Sequence, residues 1–221
     1  MVNRDTDIKE KIQALRKEYQ SGFLLDEGTM SPDPHDLFSQ WFDVAIKAEL
    51  LEPNAMVLAT VAADGRPSAR VVLMKELSQE GIGFYSNYQS RKGLELAKND
   101  QAAVVFFWAE LERQVRIEGQ VSLLSREKSE SYFNSRPRGS QLGAASSNQS
   151  QAISGREVLE HEHARLDTLY QSSAIPCPPH WGGYLLKPHT YEFWQGKENR
   201  LHDRIRYRRE RLTWLIERLA P

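Results

Sequence analysis

The chain has 221 residues, with 29 Lys and Arg against 30 Asp and Glu for a formal net charge of −1. Its length fits one large domain or two small ones at ~100–200 residues each, and the balanced charge supplies no overall field toward nucleic acid or a membrane surface. A single cysteine, Cys177, excludes an internal disulfide and a cysteine-rich metal site, and no apolar run is long enough to span a bilayer.

The N-terminus is polar and lacks the apolar core of a signal peptide, so a cytoplasmic protein is expected. Residues 4–20 are strongly charged, with Ile8, Ile12, Leu15 and Tyr19 at helical spacing, which reads as a short amphipathic helix or an arm. Residues 22–34 are rich in Gly, Pro, Asp and Ser and read as loop. Residues 36–50 predict a helix, because Leu37, Phe38, Trp41, Phe42, Ala45 and Ile46 form one apolar stripe. Such a stripe is core.

From Ala55 the period changes to two. Residues 56–62 and 68–74 are β-rich runs about Asp64-Gly65, a hairpin signal. Residues 83–86 and 102–108 add strands. Residues 114–124 alternate, with Val115, Ile117, Gly119 and Val121 on one face and Arg116, Glu118 and Gln120 on the other. Five such runs predict an antiparallel sheet or small barrel. No G-x-G-x-x-G or G-K-[ST] loop occurs, so neither a Rossmann nor a P-loop site is indicated.

Within this region Ser90 is an N-cap that places Arg91 and Lys92 in a first helical turn. Cations there oppose the helix dipole unless an anion sits at the helix start, where free N–H groups would join them; by themselves the two residues read equally well as solvated surface cations. Both are expected to be exposed in the apo-protein. Residues 125–135 predict a helix that Pro137 stops, with Tyr132 and Arg136 on one face and Ser140 just beyond. Surface capping is the plainer reading of a guanidinium and two hydroxyls clustered there, although the same groups suit a second phosphate. Residues 143–151 read as a Ser/Gln/Ala loop. Ser154 and Glu157 form a capping box for a helix to about Tyr170, whose His161 and His163 diverge and cannot chelate one ion. Residues 181–186 and 190–194 return to strand. The tail arginines read as strand and turn surface.

One stretch gathers the most chemistry: residues 192–204, E-F-W-Q-G-K-E-N-R-L-H-D-R. If the chain is extended after Asn199, then Arg200, His202 and Arg204 share one strand face. A solvated edge strand is the plainer reading of a bare R-x-H-x-R. Phe193-Trp194-Gln195-Gly196 upstream adds a ring-stacking surface and favours a site for an anion or a polar ring.

The pattern E-F-W-Q-x4-R-L-H-D-R closely resembles the C-terminal signature of the pyridoxine/pyridoxamine 5′-phosphate oxidase family. Q-S-R-K at residues 89–92 and Y-F-x-S-R-P-R-x-S-Q at residues 132–141 are similar to that family's two phosphate-binding segments. The resemblance runs from about Arg16 to Pro221. It departs at Tyr191, where an aliphatic residue is expected, and at Ser146, where an apolar one is. It implies an FMN-binding split β-barrel with flanking helices, formed by residues 36–221 as a single domain after an arm and loop at residues 1–35. It further implies an oxidase of pyridoxine 5′-phosphate and pyridoxamine 5′-phosphate that uses dioxygen, works as a homodimer with FMN at the interface and needs no metal.

By position the resemblance assigns Arg70, Val71, Val72, Leu73, Met74, Lys75, Tyr85, Ser86, Arg91, Lys92, Gln114, Gln149, Ser150, Trp194 and Arg204 to the cofactor. It assigns Arg16, Lys17, Tyr19, Lys75, Tyr132, Arg136, Ser140, Arg200 and His202 to the substrate, with Arg200 and His202 catalytic. Strand parity places Arg70 and Lys75 on opposite faces of a regular strand, so a bulge or backbone contacts must intervene if both line one site. A flavin reductase, which would need a nicotinamide site that the sequence does not reveal, and a non-catalytic flavin or pyridoxal-phosphate carrier are the competing classes.

Overall fold

The computed structural model describes residues 4–15, 18–19 and 24–221. Helix α1 (Arg4–Ala14) precedes α2 (Pro34–Lys47), and then the chain enters the sheet. The strands are β1 (Ala55–Val61), β2 (Pro67–Leu73), β3 (Glu76–Ser78), β4 (Gly81–Asn87), β5 (Gln101–Trp108), β6 (Arg113–Leu123), β7 (Trp181–Gln195), β8 (Asp203–Glu210) and β9 (Thr213–Arg218). Helices α3 (Arg91–Lys98), α4 (Arg126–Ser135), α5 (Arg138–Ser146) and α6 (Arg156–Leu169) are inserted between them.

Every strand pairing is antiparallel, in the order β2-β1-β5-β6-β7-β4-β3. The fork lies in β7. Its first half, residues 181–186, pairs with β4, and its second half, residues 190–195, pairs with β8, which pairs in turn with β9. Strand β6 follows the opposite edge of β7 from Tyr184 to Gln195. The result is a curled, mainly antiparallel half-barrel with flanking helices.

The expected alternation of β6 holds, with Val115, Ile117 and Val121 buried. Helix α2 closes the core because Asp33 caps it by accepting from the His35 amide and Pro34 fits its first turn. Its stripe seats Phe38 against Phe106 and Trp41 edge-on to Phe193. Full burial of each such ring contributes roughly 2–3 kcal/mol. A smaller core of Phe133, Leu142, Leu166, Ile175 and Trp181 joins α4, α5 and α6 to the start of β7.

Several expectations need correction. The stretches at 181–186 and 190–194 are one strand, in which the pairing steps from Gly119↔Pro188 to Glu118↔Thr190 and leaves His189 as an extra residue. A side chain at Gly119 would put its Cβ 2.2 Å from the Lys187 carbonyl oxygen, so the bulge closes only on glycine. Residues 143–146, read as loop, belong to α5. The capping box does not form. The cap of α6 is Gly155, one residue late, which puts Glu157 at the second helical position rather than the third. Ile8 and Ile12 on α1, and Leu15 just after it, are exposed rather than packed.

Candidate functional site

Two clefts collect the residues singled out above. The first, of about 710 Å³, is walled by β2, β4, the start of α3, and α4–α5. Arg70, Lys75, Lys92 and Arg136 line it, and among the described residues no carboxylate does. In a chain with a net charge of −1, four converging cations define an anion site.

Lys92 lies on its floor and is buried, which corrects the expectation of an exposed side chain. Its Nζ donates to Ser86 Oγ at 3.0 Å, Ser90 Oγ at 3.1 Å and Gln149 Oε1 at 2.8 Å. Burial, and then the charge of Arg70, bring its pKa down to about 8. Arg91 points the other way, exposed and paired with Glu95 at 2.9 Å. Arg70 is held by Thr60 Oγ1 at 2.5 Å and the Leu58 carbonyl at 3.2 Å.

On the far wall, the Tyr85 and Tyr132 rings stack with centroids 3.9 Å apart, and Trp181 continues the stack 5.5 Å from Tyr85. The Arg136 guanidinium lies 4.8 Å over Trp181. Its Nη1 is buried without a hydrogen-bond partner among the described residues. An orphaned buried donor on a guanidinium is costly unless a ligand takes it. Ser140 and Lys75 line the same cleft.

The parity problem between Arg70 and Lys75 resolves through the chain path. Strand β2 ends at Leu73, and the Lys75 amide then donates to the Gly83 carbonyl of β4 at 2.8 Å. The crossing from one sheet edge to the other brings both side chains to one cleft.

The second cleft, of about 740 Å³, is lined by Leu15, Glu18, Tyr19, Trp194, Lys197, Asn199, Arg200 and His202. Arg200 and His202 do not lie on a strand face as expected. Residues 198–200 form a tight turn in which Asn199 and Arg200 adopt φ of 54° and 60°, and β8 begins only at Asp203. The turn still brings both to the cleft.

The His202 ring sits 4.8 Å from Trp194 and edge-on to Tyr19 at 5.4 Å. Its Nδ1 accepts from the Lys197 amide at 3.1 Å, so in the neutral ring Nε2 carries the proton. Burial and then Arg200 lower its pKa from the usual value, favouring that neutral form. Next to this cleft Gln114, Trp194 and Arg204 are register partners across β6, β7 and β8. Arg204 donates to Glu192 Oε1 at 2.9 Å, and the other oxygen of Glu192 accepts from Arg116 at 3.2 Å.

The expected set therefore divides. Arg70, Val71, Val72, Leu73, Lys75, Tyr85, Ser86, Lys92, Tyr132, Arg136, Ser140 and Gln149 surround the first cleft. Tyr19, Trp194, Arg200 and His202 surround the second, and the clefts share no lining residue. Met74 is buried in the core, while Arg91 and Ser150 lie outside both linings. Arg16 and Lys17 are outside the described residues. Sequence reasoning missed Trp181 and Asn87 in the first lining and Lys197 in the second. Of these only Trp181, an aromatic opening a strand beside Gly182-Gly183, offered a signal.

A forked antiparallel half-barrel with a cation-rich cleft between its sheet and its helices is the architecture of the FMN-binding split-barrel proteins. An FMN-binding protein from Nostoc punctiforme shares this fold at a TM-score of 0.69 and 17% identity, over 87% of this chain and 100% of that one. The sequence signature described as "Pyridoxamine 5'-phosphate oxidase" matches residues 42–170, and that of the "Pyridoxine 5'-phosphate oxidase C-terminal dimerisation region" matches residues 181–221. The chain is 55% identical over 210 residues to a pyridoxine/pyridoxamine 5′-phosphate oxidase of Cyanothece sp., covering 95% of this chain and 98% of that one. It is 50% identical to the protein of the same name from Rubrobacter xylanophilus, covering 95% and 96%. The crystal structure of PhzG from Burkholderia lata, solved with tetrahydrophenazine-1-carboxylic acid, superposes at a TM-score of 0.85 with 33% identity over 90% of this chain and 98% of that one. The chain belongs to the pyridoxine/pyridoxamine 5′-phosphate oxidase family, and it is an oxidoreductase of that family.

Proposed function

We infer that this chain is an FMN-dependent oxidase that converts pyridoxine 5′-phosphate or pyridoxamine 5′-phosphate to pyridoxal 5′-phosphate. Dioxygen is the electron acceptor and hydrogen peroxide the by-product. In this reading residues 36–221 act as one catalytic unit in the cytoplasm. The observation that carries it is the first cleft: four cations and, among the described residues, no lining carboxylate and no partner for a buried Arg136 donor. Two phosphates, one of FMN and one of the substrate, would satisfy that excess.

FMN, when bound, would supply the two-electron chemistry that no side chain here can perform. Lys92, Ser86, Gln149 and Arg70 are placed to hold its anionic end, and the backbone of residues 70–73 forms a wall beside it. Lys75, Tyr132, Arg136 and Ser140 are placed to grip the substrate phosphate, with Trp181 keeping the guanidinium of Arg136 flat.

The second cleft supplies what the first lacks. Trp194 is thirteen residues from Trp181 along β7, roughly 40 Å of extended chain, so one chain would not bring both clefts to one small substrate. A second copy does so if Trp194, Arg200, His202 and Arg204 of each chain complete the first cleft of the other. A homodimer with shared sites fits the match to a dimerisation region at residues 181–221. Arg200 would orient the substrate ring by its planar fork, and His202 Nε2–H would donate to the ring oxygen. Neither needs to remove a proton for this.

The test is an anaerobic titration of the purified holoprotein. Pyridoxine 5′-phosphate should bleach the flavin absorbance, and NADPH should not. Bleaching by NADPH alone would make the chain a reductase; bleaching by neither would leave a carrier.

A further inference from the structure

Glu95 lies on α3 one turn after Arg91; its side chain is 6% exposed and does not line the first cleft. Its Oε2 accepts from Thr60 Oγ1 at 2.5 Å and from Ser68 Oγ at 2.6 Å, and its Oε1 accepts from Arg91 Nε at 2.9 Å. The same two hydroxyls face Arg70. Arg70 Nη1 donates to Thr60 Oγ1, and Nη2 donates to Ser68 Oγ and lies 3.4 Å from Glu95 Oε2.

A guanidinium can only donate, and a hydroxyl has a single proton. Each hydroxyl that accepts from Arg70 must send its own proton elsewhere, and Glu95 Oε2 is within reach of both. The network therefore has one polarity, from Arg70 through Thr60 and Ser68 to Glu95, and it requires an ionised carboxylate. Burial opposes that ionisation, but the hydrogen bonds from Ser68, Thr60 and Arg91 outweigh it and hold the pKa at about 2.

We propose that Glu95 is a positioning residue: acting through Thr60 and Ser68, it fixes the orientation in which Arg70 meets the flavin. This rests on reading the first cleft as the FMN half-site. Arg70 lies on β2 and Glu95 on α3, so the relay also ties the orientation of the arginine to the helix that carries Lys92.

A double-mutant cycle tests it. FMN affinity is measured by quenching of flavin fluorescence on the apo-forms of the wild type, Glu95→Gln, Arg70→Ala and the double variant, with a melting temperature for each. Glu95→Gln should weaken FMN about tenfold in the wild-type background. In the Arg70→Ala background it should cost less than about twofold, because the residue it aims is gone. The visible band of bound flavin should shift the same way in both single variants. A loss that persists undiminished without Arg70 overturns the proposal, as does wild-type affinity in Glu95→Gln. If Glu95→Gln fails to fold, the paired change Thr60→Val with Ser68→Ala, which removes both hydroxyl links and leaves the carboxylate, is carried through the same cycle with the same two outcomes. A wild-type protein that does not bind FMN overturns the flavin reading and this proposal together, whereas one that binds FMN with an additive cycle overturns only the role of Glu95.

Discussion

The two clefts are built on different principles. The first is assembled from regular elements: Lys92 on a helix start, Arg70 on a strand, Arg136 at a helix end backed by Trp181. These three cations are immobilised by buried acceptors and aromatic faces before any ligand arrives. The second hangs on a turn with two left-handed residues; Arg200 is exposed, and His202 packs against aromatic rings rather than buried hydroxyls. A preorganised anion cradle suits retention of a cofactor. A turn that presents one guanidinium and one neutral imidazole suits a group that meets a substrate and lets it go.

That division can be broken most directly at the second cleft. Arg200→Ala and His202→Ala should each slow single-turnover anaerobic flavin reduction about a hundredfold, since loss of orientation alone is worth that much. FMN affinity should stay within about twofold of wild type, because neither residue lines the first cleft. A large loss of FMN in either variant would abolish the distinction between a holding cleft and a reacting one.

A second experiment sharpens the comparison by asking whether the clefts work in trans. Arg136→Ala and Arg200→Ala proteins, each nearly inactive, are mixed and allowed to exchange subunits. Half of the resulting pairs carry one defect of each kind and so one intact site of two, which restores roughly a quarter of wild-type activity in a two-fold assembly. A mixture no more active than its parents means that the sites are not shared.

The smallest effect belongs to the first cleft alone. Lys92 must be charged to hold an anion, and its pKa is brought down to about 8 by burial and by Arg70. FMN affinity of the apo-protein should therefore be flat below that value and fall above it, roughly fourfold weaker at pH 8.5 than at pH 7. Replacing Arg70 by Ala should move the decline to higher pH. The sign for folding is opposite. Between about 8 and the ordinary 10.5 the unfolded chain binds the extra proton, so apo-protein stability rises with pH across that window. An affinity that stays constant to pH 9.5 would remove Lys92 from the anion site.

The elements that were legible in the sequence are those whose signals are local. The stripe of α2, the alternation of β6, the Asp64-Gly65 turn and the Ser90 cap each depend on residues a few positions apart, and each formed, except that Ile46, counted in the stripe as core, is 50% exposed at the last turn of α2. What escaped depends on distance. Lys92 is buried because Gln149, fifty-seven residues on, supplies its third acceptor. The turn at Asn199 and Arg200 places an arginine in a left-handed conformation that its side chain does not advertise. The failed cap at Ser154 is a one-residue shift in register, within the ordinary uncertainty of a helix start. At the two departures from the family pattern, Tyr191 simply packs against Phe193 and Trp214, and Ser146 bonds back to the Gly143 carbonyl within α5.

The extra residue at His189 has a consequence for how this chain can vary through descent. Leu186 faces Val121 in the core and Phe193 faces Val115 in the same core, though seven positions separate them on one strand. An odd separation on one face is possible only because the bulge resets the phase. Deleting the extra residue would leave six positions between Leu186 and Phe193, an even count that a regular strand also places on one face, so the pairing with β6 would survive and only the bend would be lost. Adding one more residue would instead turn Phe193 and Tyr191 outward unless a second bulge absorbed it. The count along this strand can therefore change by one only where a bulge forms or disappears, and what such a change alters is the bend between the two clefts rather than the core beneath them.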